Sequence, residues 1–266
     1  MLNNWLALII GNSRLHWAWF MGTNLQETWD TNHLPAEIID LLIQGRASSI
    51  LPGELLPSVL VSNLESQIPL YIASVVPAQT KLWKTYPQTK IITLDSIPLL
   101  GLYPTLGIDR ALALLGGGET YGYPILVIDG GTALTFTGAD GNRNLIGGAI
   151  LPGLRLQLES LSQGTGLLPA ISLPTNLPPR WAKETTTAIA SGVLYTVLAG
   201  IRDFISDWYY QFPESKMAIT GGDANWLLTY LEIEYPEIWH RLTADSRLIF
   251  FGIESIVFKL WSSYSS

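Results

Sequence analysis

Cysteine is absent from this sequence of 266 residues. That excludes disulfides, thiolate-held metals and a cysteine nucleophile together, and it accords with a reducing compartment, so a cytoplasmic location is expected. Histidine is scarce: His16, His33 and His240 are scattered without ligand spacing, and no histidine metal centre is expected. Charge is sparse as well, at 14% of residues with a net of −7. No run of Lys and Arg occurs, so nucleic acid is not an expected partner.

Long apolar runs are also missing. Trp5 to Ile10 is too short for a signal-peptide core, Met1 to Asn4 lacks a basic start, and no stretch approaches the roughly 20 apolar residues that cross a bilayer, so no membrane association is expected. Neither GxxxxGK[ST] nor GxGxxG occurs, which argues against a P-loop kinase and a dinucleotide dehydrogenase. Ser160 and Ser162 lack a nucleophile elbow, so a serine hydrolase is not supported.

What is present describes a packed globular protein. Apolar residues make up 48% of the chain, and the length suffices for one large domain or two modest ones. Trp5 to Ile10 reads as a buried strand ending at Gly11-Asn12. Leu15 to Met21 returns, and a turn at Gly22 to Asn24 leads to a third strand over Leu25 to Trp29. A helix is expected over Pro35 to Gln44, a strand over Leu70 to Val76, a helix over Ala78 to Lys84, a strand over Lys90 to Leu94, and a helix over Asp109 to Gly116.

The opening pattern then recurs. Ile125 to Ile128 runs into Asp129-Gly130-Gly131, Ala133 to Thr137 returns, and Leu145 to Leu151 follows a turn at Asp140-Gly141. A long helix is expected over Thr185 to Trp208, a strand over Met217 to Thr220 ending in Gly221-Gly222, and a last helix from about Phe250 to Trp261. The repeat is architectural, since identity between the copies is slight. It predicts an α/β protein of two similar halves, residues 1–118 and 119–266, with a cleft between them. Of the ten tryptophans, Trp5, Trp17 and Trp19 read as core, and Trp181, Trp208 and Trp261 as helix packing or an interface.

The glycine turns are the candidate sites. In Asp129-Gly130-Gly131-Thr132-Ala133 the glycines let backbone N–H groups approach a phosphate, and the strand-end carboxylate can serve Mg²⁺ or its water shell. The same residues also suit an ordinary hairpin. Gly11-Asn12-Ser13 holds the same place after the first strand, again with a hairpin as the plain alternative. Thr220-Gly221-Gly222-Asp223 opens a helix whose N-terminus offers donors to a nucleotide, while Asp223 equally suits an N-cap. Three such turns, two at equivalent places in duplicated halves, are what a nucleotide cleft requires.

These residues resemble the actin, sugar kinase and Hsp70 superfamily and, within it, the type III pantothenate kinases. The resemblance rests on Ile9-Ile10-Gly11-Asn12-Ser13-Arg14, on Ser74-Val75-Val76-Pro77 and on Gly107-Ile108-Asp109-Arg110 preceded by Tyr103-Pro104. It continues through Asp129-Gly130-Gly131-Thr132-Ala133, Gly147-Gly148-Ala149-Ile150-Leu151-Pro152-Gly153, Thr185 to Gly192, and Thr220-Gly221-Gly222. It implies two ribonuclease H-like (actin-like ATPase) domains and an ATP-dependent kinase that phosphorylates pantothenate on the way to coenzyme A. It implies Asp109 as general base, with Tyr103, Gly107, Ile108, Arg110 and Thr185 at the acceptor. Gly11, Asn12, Ser13, Arg14, Gly131, Thr132, Gly221 and Gly222 would serve the nucleotide, and Asp129 would serve Mg²⁺ or a monovalent cation, K⁺ or NH₄⁺. A homodimer is implied, Thr185 reaching the neighbouring subunit's substrate.

Ile9 stands where the family carries an Asp. Three consequences stay open: Asp129 and water carry the metal alone, ATP use is weakened, or activity is lost and the chain is a regulator or binding protein that kept the fold. Ala182 and Glu184 replace the family's Gly and Asn beside Thr185, which changes the lip of the acceptor site.

Overall fold

The computed structural model describes residues 4–46 and 57–263; the expectation about a leader over residues 1–3 lies outside them. The chain forms two compact units, one of residues 1–98, 103–116 and 249–266, the other of residues 99–102 and 117–248.

The first unit holds a five-stranded sheet of β1 (Asn4–Ile10), β2 (Leu15–Met21), β3 (Asn24–Thr31), β4 (Leu70–Ser74) and β5 (Thr89–Ile91) in the order β3-β2-β1-β4-β5. β1 to β3 form an antiparallel meander, while β4 and β5 run parallel to β1. The central strand is apolar from Trp5 to Ile10 because both its faces are covered. Leu6, Leu8 and Ile10 enter a core with Trp17, Trp83, α1 (Ala36–Ile43) and α2 (Ser58–Glu65). On the other face Trp5 stacks on Phe20 at 4.1 Å and meets Tyr71 edge-on at 5.3 Å. Tyr71 in turn accepts a hydrogen bond from Trp261 in the last helix of the chain, Leu248–Ser263. That helix is thus anchored on the first unit's sheet, although it is the last element in sequence. Between β4 and β5 lies α3 (Pro77–Trp83), with Pro77 in its first turn.

The second unit repeats the plan. β6 (Ile125–Gly130), β7 (Ala133–Ala139), β8 (Leu145–Pro152), β9 (Lys216–Thr220) and β10 (Thr243–Ala244) form a sheet ordered β10-β9-β6-β7-β8. β6 to β8 are antiparallel neighbours, and β9 and β10 run parallel. Each sheet is therefore first strand in the middle, its hairpin partners to one side and two parallel strands to the other. Duplication expected from spacing alone is here a shared strand order.

α4 (Ile108–Tyr121) runs past Gly116, where the sequence predicts its end. Gly117 and Gly118 stay in the helix because they lie against Ile125, Val127 and Tyr123, and a methyl group on either would clash there. Close packing thus outweighs the cost of glycine in a helix, about 1 kcal/mol per residue. α5 (Leu154–Gly164), α6 (Thr185–Gln211), α7 (Ala224–Glu234), α8 (Pro236–Trp239) and α9 (Leu248–Ser263) complete the chain. The expected strand over Lys90 to Leu94 is shorter, because a 3-10 turn begins at Leu94.

By length and composition α6 could cross a membrane, contrary to the expectation that no segment reaches that size. Its apolar stripe, from Ile189 through Leu194, Leu198, Ile201 and Ile205 to Trp208, is buried in the core over β6, β7 and β9. Trp208 packs flat over Gly138, whereas Trp181, in the loop before α6, is exposed.

Candidate active site

Parallel neighbours place the glycine turns at the carboxyl ends of the central strands, a favoured ligand position in α/β sheets. In the first unit Gly11 N–H donates to Arg14 C=O at 3.0 Å, closing the turn, and Val75 N–H donates to Ile10 C=O at 3.1 Å. Asn12, Ser13 and Arg14 are exposed at its tip. In the second unit Gly131 N–H donates to Ala133 C=O at 2.9 Å, and Asp223 N–H donates to Gly130 C=O at 2.7 Å. Ile9 and Asp129 hold matching places, each two residues before the turn glycine; Ile9 pairs with His16 and Ala73, Asp129 with Thr135 and Thr220. Only the second unit carries a carboxylate there, and Ile9 is buried.

His16, cross-strand from Ile9, donates to Asp30 at 2.7 Å. That hydrogen bond holds the Asp30 carboxyl below its ordinary range. The ring edge of His16 lies beside Gly11, so the pair borders the first turn. His33 Nε2 donates to Gly11 C=O at 3.0 Å. Neither histidine is marked by spacing in the sequence; the register of β1, β2 and β3 brings them there.

Around Asp129 the packing is tight. Gly221 has a φ of +92° and sits against the Asp129 carboxylate and the Gly130 carbonyl. Gly153, the N-cap of α5, sits against the Gly131 and Thr132 carbonyls, and its N–H donates to Thr132 C=O at 2.8 Å. Both positions exclude a side chain. Asp129, Gly131, Thr132, Gly221 and Gly222 are thereby assembled in one place. Asp223 occupies the N-cap position of α7 yet makes no side-chain cap bond. Its buried carboxylate instead accepts from Arg155 Nε at 3.0 Å. Gly153 and Arg155 escaped prediction as site residues, the local signal being the glycine that ends the Gly147 to Gly153 segment; Asp223 reads in the sequence only as part of the Thr220 to Asp223 turn or as an N-cap. Burial drives the Tyr230 phenol pKa up, with the Asp223 charge adding to it.

The other predicted cluster lies at the start of α4. Asp109 stands in the first helical turn, and its Oδ1 accepts from the Arg110 N–H at 2.8 Å and lies against Gly107. Arg110 is only 7% exposed, so it is no ordinary surface charge. Its Nη1 donates to the Tyr103 hydroxyl at 3.2 Å, and Tyr103 is itself exposed. Ile108 is buried beneath this turn. Tyr103, Gly107, Asp109 and Arg110 thus form one group inside the first unit. Thr185 is exposed at the first position of α6.

Two sheets sharing one strand order, each with a glycine turn closing its central hairpin, define an actin-like ATPase fold. MreB5 of Spiroplasma citri, solved with AMPPNP bound, shares this fold at a TM-score of 0.51 and 10% identity, covering 100% of this chain and 99% of that one. A Baf-family protein from Campylobacter jejuni matches at a TM-score of 0.62 and 21% identity, over 97% and 99% of the two chains. Residues 5–207 match the family model for type III pantothenate kinase. A Nostoc protein named type III pantothenate kinase is 53% identical over 261 residues, 96% of this chain and 95% of that one. This chain belongs to the type III pantothenate kinase family, and it is an enzyme of the kinase class.

Proposed function

We propose that this chain transfers the γ-phosphoryl group of ATP to the primary hydroxyl of pantothenate, giving 4′-phosphopantothenate and ADP, the first step toward coenzyme A. The observation that carries this reading is the buried Arg110 beside Asp109, tied to Tyr103. The guanidinium offers the planar fork of N–H groups that a substrate carboxylate takes up. Pantothenate carries such a carboxylate and a hydroxyl.

In this reading Asp109 accepts the hydroxyl proton as the new oxygen–phosphorus bond forms and the bond from the γ-phosphorus to the bridging oxygen of ADP breaks. A loose transition state loses that proton late, so placing the carboxylate matters more than raising its pKa. Arg110 binds the pantothenate carboxylate, Gly107 and Ile108 shape the floor, and Tyr103 orients the substrate. The turn of Gly11, Asn12, Ser13 and Arg14, and the residues Gly131, Thr132, Gly221 and Gly222, lie against the nucleotide, the glycines letting its phosphates come close to the backbone.

Among the described residues no group of three or more His, Asp and Glu is placed to hold a metal. A single protein carboxylate, that of Asp129, suits Mg²⁺, which keeps water and phosphate ligands rather than taking a cage of protein ligands. When bound, Mg²⁺ neutralises charge on the phosphates; Asp129 is also the carboxylate offered to a monovalent cation, K⁺ or NH₄⁺. Ile146 and Ile150, 48% and 65% exposed on one face of the edge strand β8, support a homodimer in which Thr185 serves the neighbouring substrate. The composition, free of cysteine, supports a cytoplasmic enzyme.

The test is an ADP-release assay with Mg²⁺–ATP and K⁺, run with and without pantothenate, and with mass detection of the phosphorylated product. Pantothenate-dependent ADP release is expected. Absence of turnover by the wild-type protein under these conditions would refute the reading.

A further inference from the structure

Arg155 is fixed in direction by two tethers. Its backbone lies two residues beyond Gly153, whose N–H is bonded to Thr132 C=O at 2.8 Å. Its Nε is bonded at 3.0 Å to Asp223, the residue directly after Gly222, whose own N–H is bonded to Gly130 C=O at 2.7 Å. The arginine is thereby tied, inside one unit, to the Asp129 to Thr132 turn through Gly153 and to the Gly221-Gly222 turn through Asp223.

The ion pair is lopsided. The Asp223 side chain is 6% exposed, and that of Arg155 is 57% exposed. An aspartate at an N-cap ordinarily bonds the helix's own N–H groups. Asp223 makes no such bond and commits its carboxylate to Nε, the inner edge of the guanidinium. The outer edge, with the four N–H groups of Nη1 and Nη2, is left to the exposed side. A guanidinium held by one edge and open at the other matches the fork geometry of a phosphate group.

We propose that Arg155 contacts the phosphates of the bound nucleotide and that Asp223 is the positioning residue that aims it. This rests on assigning the two glycine turns of the second unit to the nucleotide. The expected ligand chemistry is a nucleoside di- or triphosphate, recognised through its phosphate oxygens and not through its base.

Calorimetric titration with ADP and, separately, with adenosine tests this without turnover. Arg155→Gln is expected to weaken ADP by about tenfold or more while adenosine changes by less than about twofold, as loss of a charge-assisted contact to phosphate alone requires. Arg155→Lys recovers part of the loss, and Asp223→Asn weakens ADP with the same sparing of adenosine. Thr132→Val reports on the turn itself and is expected to weaken ADP. If Thr132→Val weakens ADP and Arg155→Gln does not, the role of Arg155 is overturned and the turn assignment stands. If neither variant moves ADP affinity, the turn assignment fails and takes this proposal with it. Equal losses for ADP and adenosine overturn the phosphate contact. Arg155 is exposed enough that Gln and Lys variants are expected to fold, so the outcome does not depend on the buried Asp223.

Discussion

Gly221 lies directly against Asp129: a side-chain carbon on Gly221 would overlap the Asp129 carboxylate and come within 2.5 Å of the Gly130 carbonyl oxygen. The backbone of Gly221 is also left-handed, with φ at +92°. Gly221→Ala therefore combines backbone strain with a collision at the strand-end carboxylate. The expected cost is about 2 kcal/mol or more in stability, read as a lower urea midpoint. ADP affinity should fall as well, because the residue displaced is the one proposed to serve the cation. A variant with unchanged ADP affinity would show that Asp129 has no part in the nucleotide site.

Asp109 is expected to act on the chemical step alone. Asp109→Asn keeps the size and leaves an oxygen to accept from the Arg110 N–H, so the fold and the KM for ATP should be retained. The kcat should fall by about 10²- to 10⁴-fold, the usual range for losing a general base. Steady-state kinetics over both substrates checks this. Full turnover by the variant would remove Asp109 from the mechanism.

Substitution of Arg110 is expected to separate acceptor binding from nucleotide binding. Loss of a charge-assisted contact to a substrate carboxylate costs about 1.5–3 kcal/mol, so Arg110→Gln should raise the KM for pantothenate by roughly 10- to 100-fold. The KM for ATP should change little. Arg110→Lys should recover little of this, since an ammonium cannot reproduce a planar fork. Because Arg110 is buried, a thermal melt of each variant should accompany the kinetics.

Asp245 carries acid sensitivity in the second unit. Its side chain is 2% exposed and accepts from the Arg247 side chain, the Arg247 N–H and the Tyr121 hydroxyl. Burial pushes its carboxyl up, but these hydrogen bonds outweigh burial, so the folded pKa lies below the ordinary 3.8. A depressed folded pKa means the pair stabilises the protein above the unfolded value and the contribution is lost as pH falls through the folded one. The wild-type urea midpoint should therefore drop as pH goes from about 5 to about 3. In Asp245→Asn that drop should be shallower, and the midpoint at neutral pH should be lower by the equivalent of about 2 kcal/mol. An unchanged slope between the two proteins would show that another carboxylate dominates acid unfolding.

Much of the fold was legible in local pattern. The apolar runs of β1 and β6, the glycines closing their turns and the long apolar stripe of α6 are short-range signals, set by the periods of strand and helix and by which residues tolerate tight turns. The duplicated strand–turn–strand order followed from them, and with it the positions of Gly11, Asp129 and Gly221. The Gly107 to Arg110 segment stands out by its resemblance to the type III pantothenate kinases; by local pattern alone Asp109-Arg110 reads as a helix N-cap followed by a surface charge.

Tertiary structure decided what depends on residues far apart in the chain. β4 lies between β1 and β5, and a two-residue β10 completes the second sheet; no local period specifies either, because strand order follows from how helices cover both faces. α4 runs through Gly117 and Gly118 because β6 approaches there. Arg110 is buried, and Asp223 meets an arginine 68 positions away instead of capping its own helix. Each of these is settled by register and packing, where the cost of leaving a buried charge or carbonyl unpaired outweighs local preference.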